Sequence, residues 1–80
     1  MKITVKYFAS LREKAEKTFE EIEIGSGEKL SEIYQTLSMR YAFPLSSQEV
    51  KYAVNHEYVS DDYILKERDV LVFIPPVAGG

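Results

Sequence analysis

The sequence predicts an α+β domain in which one helix packs across a mixed β-sheet. Segments that alternate between apolar and polar residues stand on both sides of a single segment with helical spacing. Alternation with period two is typical of strands that have one buried face. The last strand, DVLVFI at positions 69–74, is apolar on both faces, as a central strand under a helix would be. The predicted order is therefore two strands, a helix and three strands.

The first strand is predicted in ITVKYF, at positions 3–8. Its odd-numbered residues, from Ile3 to Tyr7, are expected to face the core, and its even-numbered residues, from Thr4 to Phe8, to face the other way. FASLRE follows at positions 8–13 and is expected to form a turn or a short helical piece.

The second strand is predicted in KTFEEIEI, at positions 17–24. Phe19, Ile22 and Ile24 are its predicted core contacts, but the alternation breaks at Glu20–Glu21. A bulge or an imperfect register would explain the break. GSG, at positions 25–27, is predicted to be a turn.

The helix is predicted from an apolar stripe at helical spacing. The stripe consists of Leu30, Ile33, Tyr34, Leu37 and Tyr41. Its N-terminal cap is unclear, because Lys29 stands where Ser, Thr or Asp would serve better. Phe43 is expected to end the helix, because proline disfavours helical geometry in the residue before it.

The second half of the chain is predicted to complete the sheet. VKYAVN and EYVS form two short strands around an Asn55–His56 turn, and a loop follows with Ile64 and Leu65 as its apolar anchors. In the last strand, Leu71 and Phe73 are expected to face the helix. The outward residues are then Val70, Val72 and Ile74. A last strand that lies beside the first and parallel to it gives the β-grasp, or ubiquitin-like, arrangement, with a domain at 1–74 and an extended tail at 75–80.

Composition narrows the possible functions. The chain has 80 residues, a net charge of −3 and no long block of basic residues, which argues against a nucleic-acid-binding surface. It has no cysteine, so disulfides, thiolate nucleophiles and thiolate metal sites are excluded. The alternating start does not resemble a signal peptide, and no apolar run has the length of a membrane span. A cytoplasmic protein without a membrane partner is expected.

Side chains that could support catalysis do not form a recognisable set. His56 is the only histidine, so no metal site is predicted, and its place between two strands favours a polar turn residue. The serines lack a partner set for a nucleophilic triad. Asp61–Asp62 is expected to be a solvated loop, and GSG lacks the Lys-Ser/Thr of a phosphate-binding loop.

The C-terminal run PPVAGG, at positions 75–80, is the most specific feature of the chain. Pro75–Pro76 favours an extended backbone without N–H donors, and six extended residues reach on the order of 20 Å. Gly79 and Gly80 have no side chains, so the backbone could enter a narrow channel that a Cβ would block. The terminal carboxylate is a poor acyl donor until ATP converts it to an acyl-adenylate, which a sulfur nucleophile could turn into a thiocarboxylate.

A second feature is an apolar patch predicted on the outward side of the sheet. Phe8 on the first strand, Val72 and Ile74 on the last strand and Tyr58 on the fourth are expected to share it. Contiguous apolar patches on small domains mark partner sites, so this side is predicted to bind another protein.

Two segments of the chain resemble the small, sulfur-carrying subunits of molybdopterin synthase, which belong to the ubiquitin-like sulfur carriers. They are YFASLRE at 7–13 and VNHEYVS…DVLVFIPPVAGG between 54 and 80. The resemblance implies that an enzyme similar to ubiquitin activators uses ATP to adenylate the C-terminal glycine, which then becomes a thiocarboxylate. It also implies that the tail enters the large subunit and gives sulfur to cyclic pyranopterin monophosphate. Two transfers build the dithiolene that later holds molybdenum or tungsten. No bound cofactor is expected, and two small plus two large subunits are expected in the complex.

Carried over to this chain, the resemblance assigns individual roles. Gly80 carries the sulfur, and the tail that lies in the partner's channel comprises Pro75, Pro76, Val77, Ala78 and Gly79. Phe8, Arg12, Tyr58 and Ile74 fall at positions that look like the family's contacts with the large subunit or the activating enzyme. Arg12 could instead form a surface ion pair.

One departure and several alternatives remain. The turn KERD, at 66–69, lacks the glycine that is common in the family before the last strand. The thiamine-biosynthesis carrier, carriers for tRNA thiolation and protein modifiers share the fold and the final Gly-Gly. FASLRE and IPPVAGG favour the molybdopterin branch over the thiamine branch, and a dual role stays open. A simple ubiquitin-like binding module would not need a free C-terminus, whereas a sulfur carrier would. Adding one residue after Gly80 would therefore distinguish the two hypotheses. An independent enzyme is the weakest alternative.

Overall fold

A computed structural model describes residues 1–76. Within that range the chain forms five strands and two helices. In chain order they are β1 (Lys2–Lys6), α1 (Ala9–Ala15), β2 (Phe19–Glu23), α2 (Leu30–Tyr41), β3 (Lys51–Val54), β4 (Glu57–Val59) and β5 (Val70–Ile74). The predicted order of elements is confirmed, and FASLRE begins a helix of seven residues.

The strands form a single mixed sheet in the order β2-β1-β5-β3-β4. β5 occupies the centre, parallel to β1 on one side and antiparallel to β3 on the other. The remaining neighbours are antiparallel pairs. The β-grasp prediction is therefore confirmed, and the strand that leads to the tail is paired on both sides.

The core lies between the sheet and α2. Ile3, Val5 and Tyr7 are at most 1% exposed, and Leu71 and Phe73 are fully buried, so the predicted inward phase of β1 and β5 is correct. The helical stripe supplies the opposing layer with Leu30, Ile33, Tyr34 and Leu37. Tyr34 stacks edge-on against Phe73, with ring centroids 4.9 Å apart, which joins the helix to the central strand.

The start of α2 is capped by a residue that lies 30 positions away along the chain. Asp61 accepts hydrogen bonds from the Ser31 N–H at 2.7 Å and from the Ser31 hydroxyl at 2.9 Å. The Glu32 side chain accepts one from the Lys29 N–H at 2.9 Å. A carboxylate at a helix N-terminus satisfies donors that have no intrahelical partner and interacts favourably with the helix dipole. The expectation that Asp61 is only part of a solvated loop was therefore wrong.

β2 departs from the prediction at Phe19, which is 59% exposed and lies on the side away from the core. The strand pairs with β1 residue by residue from Phe19 to Glu23, so neither a bulge nor a register fault is needed. Its inward residue is Glu20, whose carboxylate accepts hydrogen bonds from Tyr7 and Tyr41. The alternation appeared broken because two tyrosines make an inward carboxylate acceptable. Ile22 and Ile24 pack against the core as predicted.

The β3–β4 turn and the long loop complete the domain. Asn55 and His56 both have positive φ, 52° and 75°, as a tight two-residue hairpin turn requires. In the loop, Leu65 is buried as predicted, but Ile64 is 65% exposed, so its assignment as an anchor was wrong. Tyr63 and Leu65 both pack against the core, and the residue between them points outward.

Candidate partner interface

The side of the sheet opposite α2 is called the outer face below. Register places one residue of each strand in a continuous row across it. The row runs Phe19–Lys6–Val72–Ala53–Tyr58 from β2 to β4. With strands about 4.8 Å apart, the five residues span about 19 Å.

Large apolar side chains are exposed across this face. Phe8, Phe19 and Tyr58 are 47%, 59% and 72% exposed, and Val72 and Ile74 on the central strand are partly exposed between them. These are three of the five large apolar residues that stand out to solvent among residues 1–76. Exposed apolar area of this kind is unfavourable in water, and its burial against a partner protein would be favourable.

Phe8 and Arg12 are held together by the start of α1. Phe8 has an extended backbone, and its carbonyl accepts hydrogen bonds from the N–H groups of Leu11 and Arg12. Arg12 therefore follows Phe8 by one helical turn and is exposed. The ion pairs formed within residues 1–76 are Met1–Glu23 and Lys17–Glu20. The alternative of a surface ion pair for Arg12 receives no support from that part of the chain.

The tail follows directly on β5, the central strand of the sheet. β5 ends at Ile74, Pro75 is partly buried and Pro76 is exposed. The roles predicted for Val77, Ala78, Gly79 and Gly80 lie outside the described residues. Among the predicted interface residues, Val72 and Ile74 lie on β5 itself, and Tyr58 lies across β3 from Val72. Phe8 and Arg12 lie at the start of α1, after β1.

The position of β5 is fixed by a pair of side chains that sequence reasoning missed. Asn55 Nδ2 donates to Asp69 Oδ1 at 2.9 Å, and Asn55 Oδ1 accepts from the Val70 N–H at 3.0 Å. Asp69 is 7% exposed, and its second oxygen accepts from the Lys66 N–H. The tight turn thus sets the start of the strand whose end carries the tail. The only signal in the sequence was the asparagine of the predicted turn.

Glu20 forms the main electrostatic cluster on the core side. Tyr7 Oη donates to Glu20 Oε2 at 2.5 Å and Tyr41 Oη donates to the same oxygen at 2.7 Å, while Lys17 Nζ lies 3.5 Å from Oε1. Burial alone would raise the pKa of Glu20, but the hydrogen bonds from Tyr41 and Tyr7 and the charge of Lys17 outweigh it and lower that pKa. Burial, and then the bond to Glu20, raises the pKa of Tyr7. The cluster ties the end of β1 to β2 and α2.

The described part of the chain offers little for catalysis. Among residues 1–76, no group of three or more His, Asp or Glu side chains is placed to hold a metal ion. His56 is exposed in its turn, as predicted. No helix within the same range is long and apolar enough to cross a membrane.

Comparisons with known proteins identify relatives over the whole chain. The model of the ThiS family matches residues 5–80. A molybdopterin synthase sulfur carrier subunit of Mycobacterium tuberculosis is 33% identical over 82 aligned positions, covering 100% of this chain and 99% of the relative. The protein of the same name from Chlamydomonas reinhardtii is 34% identical, with both chains covered completely.

Solved structures give the same result. Subunit 1 of a molybdopterin converting factor from Pyrococcus furiosus superposes with a TM-score of 0.77 at 32% identity, over 96% of this chain and 99% of that one. More distant proteins share the fold. A small archaeal modifier protein of Haloferax volcanii has a TM-score of 0.76 at 17% identity over 95% and 98% of the two chains. A chain from the complex of subunits 1 and 2 of the Helicobacter pylori molybdopterin-converting factor has a TM-score of 0.70 at 22% identity, with full coverage. The architecture, the family model and the full-length relatives agree, and the chain belongs to the ThiS family, together with the molybdopterin synthase sulfur carrier subunits.

Proposed function

We propose that this chain carries sulfur for molybdopterin synthase as a thiocarboxylate on Gly80. The observation that carries the proposal is the position of β5. The central strand carries Val72 and Ile74 on its outward side and leads directly into PPVAGG. Full-length relatives with the name sulfur carrier subunit support the same function.

Geometry makes β5 a suitable base for a reactive tail. Backbone hydrogen bonds hold it to β1 and to β3, and the Asn55–Asp69 pair fixes its first residue. Leu71 and Phe73 anchor it in the core. A partner that docks on the outer face would therefore receive the tail at a fixed point and in a fixed direction, which is what accurate placement of a reacting atom requires.

The chemistry begins at the terminal carboxylate. One of its oxygens attacks the α-phosphate of ATP on the activating enzyme, and pyrophosphate leaves. A hydrosulfide-level sulfur from a donor then attacks the carbonyl carbon and forms a C–S bond. The bond between that carbon and the phosphate oxygen of AMP breaks, and AMP leaves. The chain has no cysteine that could capture the acyl-adenylate. In the large subunit the thiocarboxylate sulfur forms a C–S bond to cyclic pyranopterin monophosphate and displaces an oxygen as water. A second water then cleaves the bond between that sulfur and the carbonyl carbon, which restores the carboxylate.

The chain supplies the carrier, and the large subunit supplies the catalytic groups. Phe8, Arg12, Tyr58, Val72 and Ile74 form the docking surface, and Pro75–Gly79 occupies the channel of the large subunit. The complex contains two small and two large subunits. Binding of the activating enzyme uses the same outer face, so the two partners bind in turn.

Intact-mass measurement tests the carrier step directly. The chain is incubated with its activating enzyme, ATP and a sulfur donor, and its mass is expected to rise by about 16 Da, the difference between sulfur and oxygen. Omission of ATP is the control and should leave the mass unchanged. An unmodified chain in the complete reaction would contradict the proposal.

Deletion of Gly80 tests the tail. The variant ends about 3.5 Å short, and a displacement of even about 1 Å in a reacting group can greatly reduce a rate, so molybdopterin formation with the large subunit should be lost. Gly25→Ala is a matched glycine control, because a Cβ there would meet only the Glu28 carboxylate at 3.6 Å. Both variants should keep the wild-type thermal midpoint. Normal product formation without Gly80 would overturn the carrier function.

A further inference from the structure

The outer face carries positive charge at its centre, although the whole chain has a net charge of −3. Lys6 pairs with Val72 and also with Phe19, and Lys51 pairs with Ile74. Both lysines thus flank the apolar strand that leads to the tail. The carboxylates that share this face on β2 lie further from the tail, with Glu21 opposite Thr4 and Glu23 opposite Lys2.

Within residues 1–76, these lysines form no ion pair. The ion pairs formed within residues 1–76 involve Met1 and Lys17 as the cations, so neither Lys6 nor Lys51 has a carboxylate partner there. Lys6 is partly buried between the apolar residues of the row, as expected when a lysine stem lies along apolar surface with its charge outward. A partner that covered these ammonium groups with apolar atoms alone would pay a large desolvation cost.

Phe19 extends the same surface to the edge of the sheet. It stands in register with Lys6 on β2 and is 59% exposed. A partner that contacts Val72 and Tyr58 therefore finds a further aromatic anchor at the opposite end of the same row. Aromatic side chains at such positions commonly contribute much of the binding free energy.

We propose that Lys6, Lys51 and Phe19 make the outer face selective for a large subunit that carries carboxylates beside an apolar docking surface. The inference rests on the proposed function, because it takes the molybdopterin synthase large subunit as the occupant. The two lysines speed the encounter and reject partners without opposed carboxylates, since like charges and unpaired buried charges both disfavour association. Phe19 adds contact area that slows dissociation.

Charge reversal tests the role of the lysines. The Lys6→Glu/Lys51→Glu variant and the purified large subunit of the same organism are combined, and association and dissociation rates are measured at several salt concentrations. The association rate is expected to fall roughly tenfold or more at low salt, with a smaller difference near 1 M salt, where the Debye length is about 3 Å. Lys29→Glu/Lys66→Glu is the matched control, because it makes the same change of net charge beside α2 and in the loop before β5.

Comparison of the two variants distinguishes an effect of the outer-face charges on the association rate from an effect of net charge. A normal rate for the control and a salt-dependent loss for the outer-face variant support the inference. Equal losses in both variants would mean that only net charge matters, and an unchanged rate for the outer-face variant would mean that no carboxylates oppose the lysines. Either of these outcomes overturns it. Circular dichroism and the thermal midpoint should match the wild type for all variants.

Truncation of Phe19 tests the aromatic anchor. Phe19→Ala is expected to raise Kd for the large subunit roughly tenfold, chiefly through faster dissociation. Met39→Ala is the control, since Met39 is 88% exposed on α2, and it should leave Kd unchanged. An unchanged Kd for Phe19→Ala would remove Phe19 from the interface.

The inference and the proposed function can fail separately. A wild-type chain that gains sulfur and supports molybdopterin formation, while all outer-face variants bind normally, overturns the inference and leaves the proposed function intact. A wild-type chain that does not bind the large subunit removes both.

Discussion

Arg68 occupies a backbone conformation that suits glycine better. Its φ is 71°, in the left-handed region where a Cβ is disfavoured. The position lies in the KERD turn, where the resemblance leads us to expect a glycine. The Arg68 N–H still donates to the Lys2 carbonyl at 2.8 Å, so the turn keeps its geometry and the arginine carries the strain.

Arg68→Gly should therefore stabilise the domain. Left-handed geometry costs a non-glycine residue about 1–2 kcal/mol, and glycine would remove that cost. Glycine also raises the conformational entropy of the unfolded chain, which offsets part of the stabilisation. A net rise of roughly 0.5–1 kcal/mol in the free energy of unfolding is expected from urea titration. Lys66→Gly, in the same turn without positive φ, should be destabilising. A glycine at position 68 that lowered the stability would show that arginine makes compensating contacts.

Glu20 should make stability depend on acid pH. Its folded-state pKa lies below the usual value of 4.5 because tyrosine hydrogen bonds and Lys17 outweigh its burial. Its contribution is therefore present above about pH 4.5 and is lost as pH falls through the folded pKa. Thermal midpoints from pH 7 to about pH 3 should converge for wild type and Glu20→Gln. Glu13→Gln, on the exposed side of α1, is the control and should follow the wild type. If the difference in thermal midpoint between wild type and Glu20→Gln stayed constant with pH, Glu20 would stabilise the fold by hydrogen bonding alone and not by its charge.

At the scale of elements, the sequence predicted the strands and helices well, because their periodicity is a local property. The outward or inward direction of single residues was less predictable. Phe19 was assigned to the core because apolar character was counted, but Glu20 takes the inward position since Tyr7 and Tyr41 satisfy its carboxylate. These hydrogen-bond donors come from other elements of the fold, so the spacing of residues within β2 cannot indicate them. The prediction for Ile64 was wrong for a related reason, because only one of the two adjacent apolar residues, Leu65, could face the core.

The capping of α2 shows the same limit, and a substitution can test it. Asp61→Ala should remove two hydrogen bonds at the helix start and lower the free energy of unfolding by about 1 kcal/mol. Asp62→Ala is the control, because within residues 1–76 the Asp62 carboxylate accepts a side-chain hydrogen bond only from the nearby Ser60 hydroxyl. Its effect should stay within about 0.5 kcal/mol. Equal effects in urea titration would show that Asp61 does not cap the helix.

At the scale of the whole molecule, the two sides of the sheet have separate tasks. The side under α2 contains the core and determines stability. The outer face keeps aromatic residues exposed at a cost in solvation free energy. β5 belongs to both sides, because Leu71 and Phe73 point inward while Val72 and Ile74 point outward. One central strand thereby links the stable domain to its proposed reactive end.

Two adjacent residues can separate these tasks in a single experiment. Phe8 is 47% exposed on the outer face, whereas Tyr7 is fully buried beside it. Phe8→Ala keeps the backbone carbonyl that accepts from Leu11 and Arg12, so its thermal midpoint should barely move. Its Kd for the large subunit should rise at least roughly tenfold, because the aromatic contact is made only in the complex.

Tyr7→Ala should give the opposite pattern. The substitution removes a buried ring and its bond to Glu20, which should cost about 3–5 kcal/mol and unfold much of the population of so small a domain. The fraction that stays folded should bind the large subunit normally, since Tyr7 does not reach the outer face. Calorimetric melting and binding at a temperature below both transitions measure the two quantities independently. If Phe8→Ala melted early and the folded protein bound with wild-type affinity, Phe8 would be a structural residue and not part of the docking surface.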